Sequence, residues 1–254
     1  MSNSAVETIT LDDGSKLEVY VAQRLGDGGQ AYVYRGMIEK GGTKEKVAVK
    51  ISKGGASIPE ITQESAMLDL VNSSKHIIKK KAFKVGGLAF LALELADDGD
   101  LYTATTPPNQ LGADVKLKYM LQIAHGLKEL HEKNIVHGDL KAANVFICKK
   151  FGIVRILKIG DLGSAYVAGT EYSSRNANGM CIDPAQFPDP RPATPPAPTM
   201  STDMYSFAMT IKQLYGLRVG QDPETSFEAL KVPSDYIALL QSCMAQTNRP
   251  TADQ

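Results

Sequence analysis

Apolar and polar positions alternate through the first hundred residues in short runs broken by glycine, the pattern of half-buried strands joined by tight turns. Residues 16–21, 31–38, 47–52 and 88–95 supply the β-branched, aromatic and aliphatic side chains of such strands. Gly41-Gly42 and Gly86-Gly87 mark two hairpins, so an antiparallel sheet is the economical arrangement. Over residues 59–71 the period changes: Ile61, Met67, Leu68 and Val71 fall at helical spacing, with Ser57 placed to cap the helix and Pro59 in its first turn.

Beyond Leu101 the pattern is mostly helical. Residues 114–133 place Leu117, Met120, Leu121, Ala124 and Leu127 three and four apart, one face of an amphipathic helix. Residues 200–215 are apolar nearly all round, start at Ser201 or Thr202 and stop at Gly216, which predicts a helix buried on every side. The joint between the two regions is expected at Glu94 to Asp100. Residues 187–198 stand apart, holding six of the thirteen prolines.

Composition narrows the function classes. The 28 basic and 28 acidic residues cancel, so no basic field favours a polynucleotide, and nucleic acid is not an expected partner. The three cysteines, Cys148, Cys181 and Cys243, are too widely spaced for a disulfide framework or a metal cluster. With no signal peptide and no apolar run long enough to span a bilayer, a cytoplasmic protein without membrane contact is expected.

Residues 25–33, Leu-Gly-Asp-Gly-Gly-Gln-Ala-Tyr-Val, form a glycine-rich turn between apolar runs. Such a turn is either a plain hairpin or a place where backbone amides approach phosphate oxygens. A dinucleotide fold needs a helix after the glycines, whereas residues 31–35 have strand chemistry; a Walker loop needs a Gly-Lys-Ser/Thr that is absent. Val47-Ala48-Val49-Lys50 then ends a strand on a lysine flanked by buried positions, and Glu64 lies fourteen residues on, within the helix. A lysine so placed requires a partner.

The ordered glycine turn, strand lysine and helix glutamate resemble those of eukaryotic-type protein kinases. His137-Gly138-Asp139-Leu140-Lys141-Ala142-Ala143-Asn144 resembles the catalytic loop, Asp161-Leu162-Gly163 the metal-binding triplet, Asp203 to Ala208 the buried helix and Arg249-Pro250-Thr251 the closing motif. The resemblance implies an α+β bilobed fold, an N-terminal antiparallel sheet with one helix and a mostly helical C-terminal lobe. The expected division is an extension over 1–17 and a kinase domain over 18–254, with lobes over 18–95 and 96–254 and the family's terminal helix falling beyond Gln254.

Phosphoryl transfer is largely positioning and electrostatics, which explains the residue types. By resemblance, Lys50 would hold the α- and β-phosphates of ATP, with Gly26 and Gly28 close to them and Glu64 orienting the lysine. Asn144 and Asp161 would hold Mg2+ through hard oxygens. Asp139 would accept a hydrogen bond from the substrate hydroxyl and Lys141 would steady the γ-phosphate. Leu25, Val33, Ala48 and Phe146 would enclose the adenine, the backbones of Glu94 and Ala96 would read its edge, and Leu93 would stand behind it. His137 is expected to pack beneath Leu162 rather than move protons, and Cys181 to be a small buried hydrophobe rather than a redox switch.

Some positions depart from the family pattern. Ala31 replaces the third glycine. Gly138 stands where an arginine usually pairs with a phosphate on the activation segment, so the hydroxyls of Thr170, Tyr172, Ser173 and Ser174 are not expected to be required for activity. Residues 182–185 replace Ala-Pro-Glu, so Arg249 lacks its glutamate unless Gln186 or Asp183 substitutes. Lys141 resembles serine/threonine kinases and Ala142-Ala143-Asn144 tyrosine kinases, which together resemble the tyrosine-kinase-like serine/threonine group. The implied function is ATP- and Mg2+-dependent phosphorylation of serine, threonine or tyrosine hydroxyls on protein substrates. The alternative is a kinase-fold scaffold that binds nucleotide and partners. Residues 187–198 read either as a docking segment for a proline-recognising partner, through Pro192 to Pro195, or as a solvated spacer, the favoured reading.

Overall fold

A computed structural model describes residues 6–109, 111–150, 153–171, 183 and 196–253. The chain divides into two compact units, residues 1–73 with 78–96, and residues 74–77 with 97–254.

The first unit is a six-stranded sheet with one helix. Its strands are β1 (Val6–Thr10), β2 (Lys16–Asp27), β3 (Ala31–Lys40) and β4 (Thr43–Ser52); after α1 (Ile58–Val71) come β5 (Lys80–Val85) and β6 (Ala89–Glu94). The order is β1-β2-β3-β4-β6-β5, with every pairing antiparallel. Both expected hairpins form. Gly41 and Gly42 both take positive φ between Lys40 and its partner Thr43, the conformation a two-residue turn demands. Strict alternation on β2 and β4 buries Leu17, Val19, Val47, Val49 and Ile51, which join Leu11, Ile38 and Ala92 in one apolar cluster.

Several local expectations are corrected. The sheet extends upstream of Lys16 through β1, and β5 adds an edge; the lysines of Lys80-Lys81-Ala82-Phe83-Lys84 mask its strand period, a usual device on edges. Ser57 sits at the N-cap of α1 but leaves the helix amides alone, because its hydroxyl donates to Gln30 Oε1 at 2.9 Å.

The second unit is built around helices. It contains α2 (Leu101–Thr105), α3 (Ala113–His131), α4 (Met200–Leu214) and α5 (Ser234–Met244), with short ribbons β7 (Ile135–Val136), β8 (Val145–Lys150), β9 (Val154–Ile159) and β10 (Tyr166–Val167). β8 pairs with β9 and β7 with β10. Every residue of α4 from Asp203 to Leu214 is buried, as an all-round apolar helix requires, with α2, α3 and α5 packed against it. Its start lies upstream of the expected Ser201 or Thr202: Thr199 accepts the Thr202 amide at 3.2 Å while Thr202 Oγ1 accepts the Thr199 amide at 2.8 Å, a reciprocal cap. Gly216 then takes φ +117° just past the end of the helix.

The buried face of α3 is rotated from the expected one. It comprises Tyr119, Met120, Ile123, Gly126, Leu127 and Leu130, and leaves Leu121 48% exposed. Gly126 sets the rotation, because a Cβ there would lie 2.8 Å from the His76 carbonyl and 3.0 Å from Ile159. The helix therefore turns its smallest residue toward β9.

Candidate active site

In the first unit, β2 and β3 are joined through Gly28, Gly29 and Gln30, and the Gly28 amide donates to the Ala31 carbonyl at 3.0 Å. Gly26, Gly28 and Gly29 do not take left-handed φ. A Cβ at Gly26 or Gly28 would make only ordinary contacts, at 3.8 and 3.6 Å, and one at Gly29 would meet nothing. Neither packing nor backbone conformation demands glycine here, which leaves close approach by something else as its use.

Antiparallel partners point to the same side of a sheet, so the register assigns a face to each residue. Lys50 pairs with Val33, and Ala48 with Leu93. These four lie opposite Val47, Val49 and Ile51, and Val33, Ala48 and Leu93 remain only half-buried. Leu25 is 43% exposed. An apolar, partly exposed surface thus surrounds the lysine, whose Nζ lies 2.6 Å from Glu64 Oε2 on α1. Glu64 is 1% exposed, so this carboxylate is stable as an anion only while it is paired. The Glu94 amide donates to the Lys79 carbonyl at 2.8 Å, and Ala96 is the last residue of this unit.

In the second unit, the loop after β7 brings three predicted residues into one cluster. Asp139 Oδ2 accepts from Lys141 Nζ at 2.7 Å and from Asn144 Nδ2 at 3.1 Å; that nitrogen also donates to the Asp139 carbonyl at 2.8 Å. With its amide hydrogens directed at Asp139, Asn144 presents its carbonyl oxygen as the hard donor. The Gly160 amide donates to the Asn144 carbonyl at 2.9 Å, which ties this loop to the residue before Asp161. Asp161 itself takes φ 56°, ψ 63°, a left-handed conformation that Asp tolerates, and fully buried Leu162 anchors the turn after it. Two oxygen donors on adjoining segments suit Mg2+, which takes one or two protein ligands and fills its octahedron with phosphate and water. Phe146 lies on β8, half-buried, bridged to Asp100.

The loop is held from beneath by α4. Asp203, 1% exposed, accepts the His137 amide at 2.8 Å, the Gly138 amide at 3.0 Å and His131 Nε2 at 3.0 Å. Gln213 Oε1 accepts the Ala142 amide at 2.9 Å. His137 is fully buried; its Nδ1 accepts the Asp139 amide at 3.2 Å and its Nε2 donates to the Gly160 carbonyl at 3.1 Å. It therefore orients the Asp139 and Asp161 segments. Gly138 takes φ +74°, and a Cβ there would lie 3.1 Å from the Ser164 carbonyl.

Residues 19–250 match the family model described as protein tyrosine and serine/threonine kinase. The chain belongs to that family. A probable serine/threonine-protein kinase of Dictyostelium discoideum is 26% identical over 93% of this chain and 15% of its own length. Human serine/threonine-protein kinase Nek5 is 28% identical over 80% of this chain and 28% of its own, and mitogen-activated protein kinase kinase 10 of Arabidopsis thaliana 34% over 71% and 55%. The chain thus spans between 15% and 55% of the length of these relatives.

Within this kinase domain the missing Ala-Pro-Glu glutamate has a substitute. Arg249 Nη1 is paired with Asp183, the two side chains being 4% and 2% exposed, and the same nitrogen donates to the Ser201 carbonyl at 3.0 Å. Gln186, Cys181, Tyr172, Ser173, Ser174 and residues 187–195 lie outside the described residues. Among the described residues, no helix is long and apolar enough to cross a membrane. Sequence reading named Asp203 only as part of a resembling helix and missed Gln213. The signal was present in both cases: a carboxylate and a carboxamide inside a helix apolar on every side must be satisfied by something outside it.

Proposed function

We propose that this chain transfers the γ-phosphoryl group of ATP to serine or threonine hydroxyls of protein substrates, with Mg2+ as cofactor. The observation that carries the reading is the Asp139 carboxylate, held by Lys141 and Asn144 in a loop whose amides are anchored on buried Asp203. A carboxylate so oriented can accept the hydrogen bond of an attacking hydroxyl and take its proton as the new ester bond forms. Lys141, already within reach of Asp139, would follow the γ-phosphoryl oxygens as charge develops on them.

In the first unit Lys50, oriented by Glu64, would bind the α- and β-phosphates beneath the amides of Gly26 and Gly28. Leu25, Val33, Ala48 and Leu93 would exclude water from the adenine, and the backbones of Glu94 and Ala96 would read its edge. Asn144 and Asp161 would hold the magnesium ion, which when bound neutralises phosphate charge. Serine and threonine are preferred over tyrosine on the strength of Lys141 two residues after Asp139; that lysine together with Ala142-Ala143-Asn144 resembles the tyrosine-kinase-like group. Of the two supports of the scaffold reading, the absent glutamate and Gly138, the first is weakened, since Asp183 supplies a carboxylate to Arg249.

The test is transfer of labelled γ-phosphate from Mg·ATP onto a mixed protein substrate by wild type and Asp139→Asn. The expected loss in the variant is about 10²- to 10⁴-fold, the usual worth of a positioned proton acceptor, with ATP binding retained. Hydrolysis of the product should yield phosphoserine and phosphothreonine; phosphotyrosine alone would overturn the hydroxyl assignment. Equal rates in the two proteins would overturn the role of Asp139. Protein substrates are the principal partners in this reading; a proline-recognising partner at 187–198 is a separate one, and unchanged partner recovery after deleting that segment would count against it.

A further inference from the structure

Lys116 and Arg218 form a pair of cations that the kinase reading does not use. Lys116 lies in the first turns of α3, half-buried, with its Nζ 4.9 Å from the centre of the Tyr215 ring. Among the described residues that Nζ makes no hydrogen bond or ion pair with any oxygen. Burial, and after it the neighbouring Arg218 guanidinium, hold its pKa below the ordinary lysine value. Arg218, three residues past Tyr215, stands 5.3 Å from the centre of the Tyr102 ring on α2. Its guanidinium donates only to neutral oxygens: Thr105 Oγ1 at 3.2 Å, the Thr105 carbonyl, and more distantly the carbonyls of Gln213 and Leu217.

Two cations near enough to repel, one of them partly desolvated and neither paired with a carboxylate among the described residues, are stabilised when an anion joins them. An exposed lysine would need no such explanation, because water would solvate it. The aromatic faces of Tyr102 and Tyr215 give the cations a partial counter-field but no countercharge. Both cations stay accessible, since Lys116, Arg218 and Tyr102 are all half-buried and Val219 beside them is 71% exposed. The two cations are also connected to the Asp139 loop. Gln213 accepts from Arg218 through its carbonyl and from the Ala142 amide through its side chain, and α2 packs against the turn over residues 142–144.

We propose that Lys116 and Arg218, walled by Tyr102 and Tyr215, receive an anionic side chain of the substrate polypeptide, a carboxylate or a phosphorylated residue, and so select hydroxyls with an acidic neighbour. This inference rests on the kinase reading above and deepens it by naming the substrate class.

The experiment measures binding apart from turnover. Fluorescent peptides carrying one serine flanked by glutamate, glutamine, lysine or phosphoserine are titrated with wild type, Lys116→Gln and Lys116→Glu, and read by anisotropy. Lys116 gives up no hydrogen bond on substitution, and a melting curve for each variant checks that it is folded. For wild type, glutamate or phosphoserine peptides should bind about tenfold more tightly than the glutamine peptide, the scale of a partly desolvated charge contact. Lys116→Gln should reduce that ratio to about twofold, and Lys116→Glu should turn the preference toward lysine. A phosphoserine peptide bound more tightly than the glutamate peptide assigns the pocket to a previously phosphorylated substrate; the reverse order assigns it to a carboxylate. Equal affinities in wild type, or a preference that survives Lys116→Gln unchanged, would overturn the proposal. Phosphate transfer assayed in parallel separates the two claims: binding preference without transfer to any peptide fails the kinase reading and leaves the pocket standing.

Discussion

Asp203 offers a single buried carboxylate to two consecutive backbone amides and an imidazole, so removing it strands three donors at once. Asp203→Ala is expected to cost about 3–5 kcal/mol, the range for breaking a buried charged network. Melting should fall by roughly 10 °C for a chain of this size. Asp203→Asn keeps one carbonyl acceptor and should lose less on both counts. Cys243 makes a different prediction. It is 1% exposed, and burial pushes its thiol up from 9.0 to about 11. Between those values the unfolded chain releases a proton that the folded chain retains, so this group withdraws stability as pH rises from about 9 to 11 and contributes nothing to pH dependence below that window. Urea unfolding midpoints measured across pH 8 to 11 should therefore fall less steeply for Cys243→Ala than for wild type. Resistance of the native thiol to Ellman's reagent at pH 8, lost in urea, would accompany this. The candidate residues Lys50, Glu64, Asp139, Lys141, Asn144 and Asp161 could be named from the sequence because motif and order carry them. Gln213 could not, because its target, the Ala142 amide, lies 71 residues away in the chain.

Elements add constraints that no single residue displays. Helix propensity favours alanine over glycine by about 1 kcal/mol inside a helix, so Gly126→Ala would stabilise an isolated α3. In the folded chain the new Cβ would lie 2.8 Å from the His76 carbonyl and 3.0 Å from Ile159. Backbone cannot yield as a flexible side chain does, so the substitution should destabilise the protein by about 1–3 kcal/mol. Chemical denaturation of the protein against circular dichroism of an α3 peptide should give opposite signs. The same position explains the misjudged face of α3: hydrophobicity alone ranks Leu121 above Gly126, whereas close packing on β9 inverts the order. β5 escaped notice for a related reason. Its lysines suit an edge position, and which strand is an edge depends on the whole pairing order.

At the scale of the molecule, ligand binding and stability are linked. A nucleotide–metal complex that binds only the folded chain raises stability by about 2.7 kcal/mol at a hundred times its dissociation constant. Mg·ATP should accordingly raise the melting temperature by about 5–10 °C. Asp161→Asn should remove most of the magnesium-dependent part of that shift while leaving the unliganded protein folded. ATP without metal giving the full shift would argue against Asn144 and Asp161 as the ion's holders.

Local patterning and motif order, by themselves, determined the class of fold, the glycine turn, the paired lysine and glutamate, the loop chemistry and the family resemblance. Such features depend on neighbours in the chain or on residue identity at set spacings, so a linear reading reaches them. Tertiary structure alone decided that Asp183 pairs with Arg249, that Asp203 and Gln213 hold the loop around Asp139, that α3 turns on Gly126, and that Lys116 lies over Tyr215 and Arg218 over Tyr102 with no carboxylate paired to either among the described residues. Each depends on which distant segments come within a few ångströms, and on whether water or a partner remains there, quantities that exist only once the chain has closed on itself.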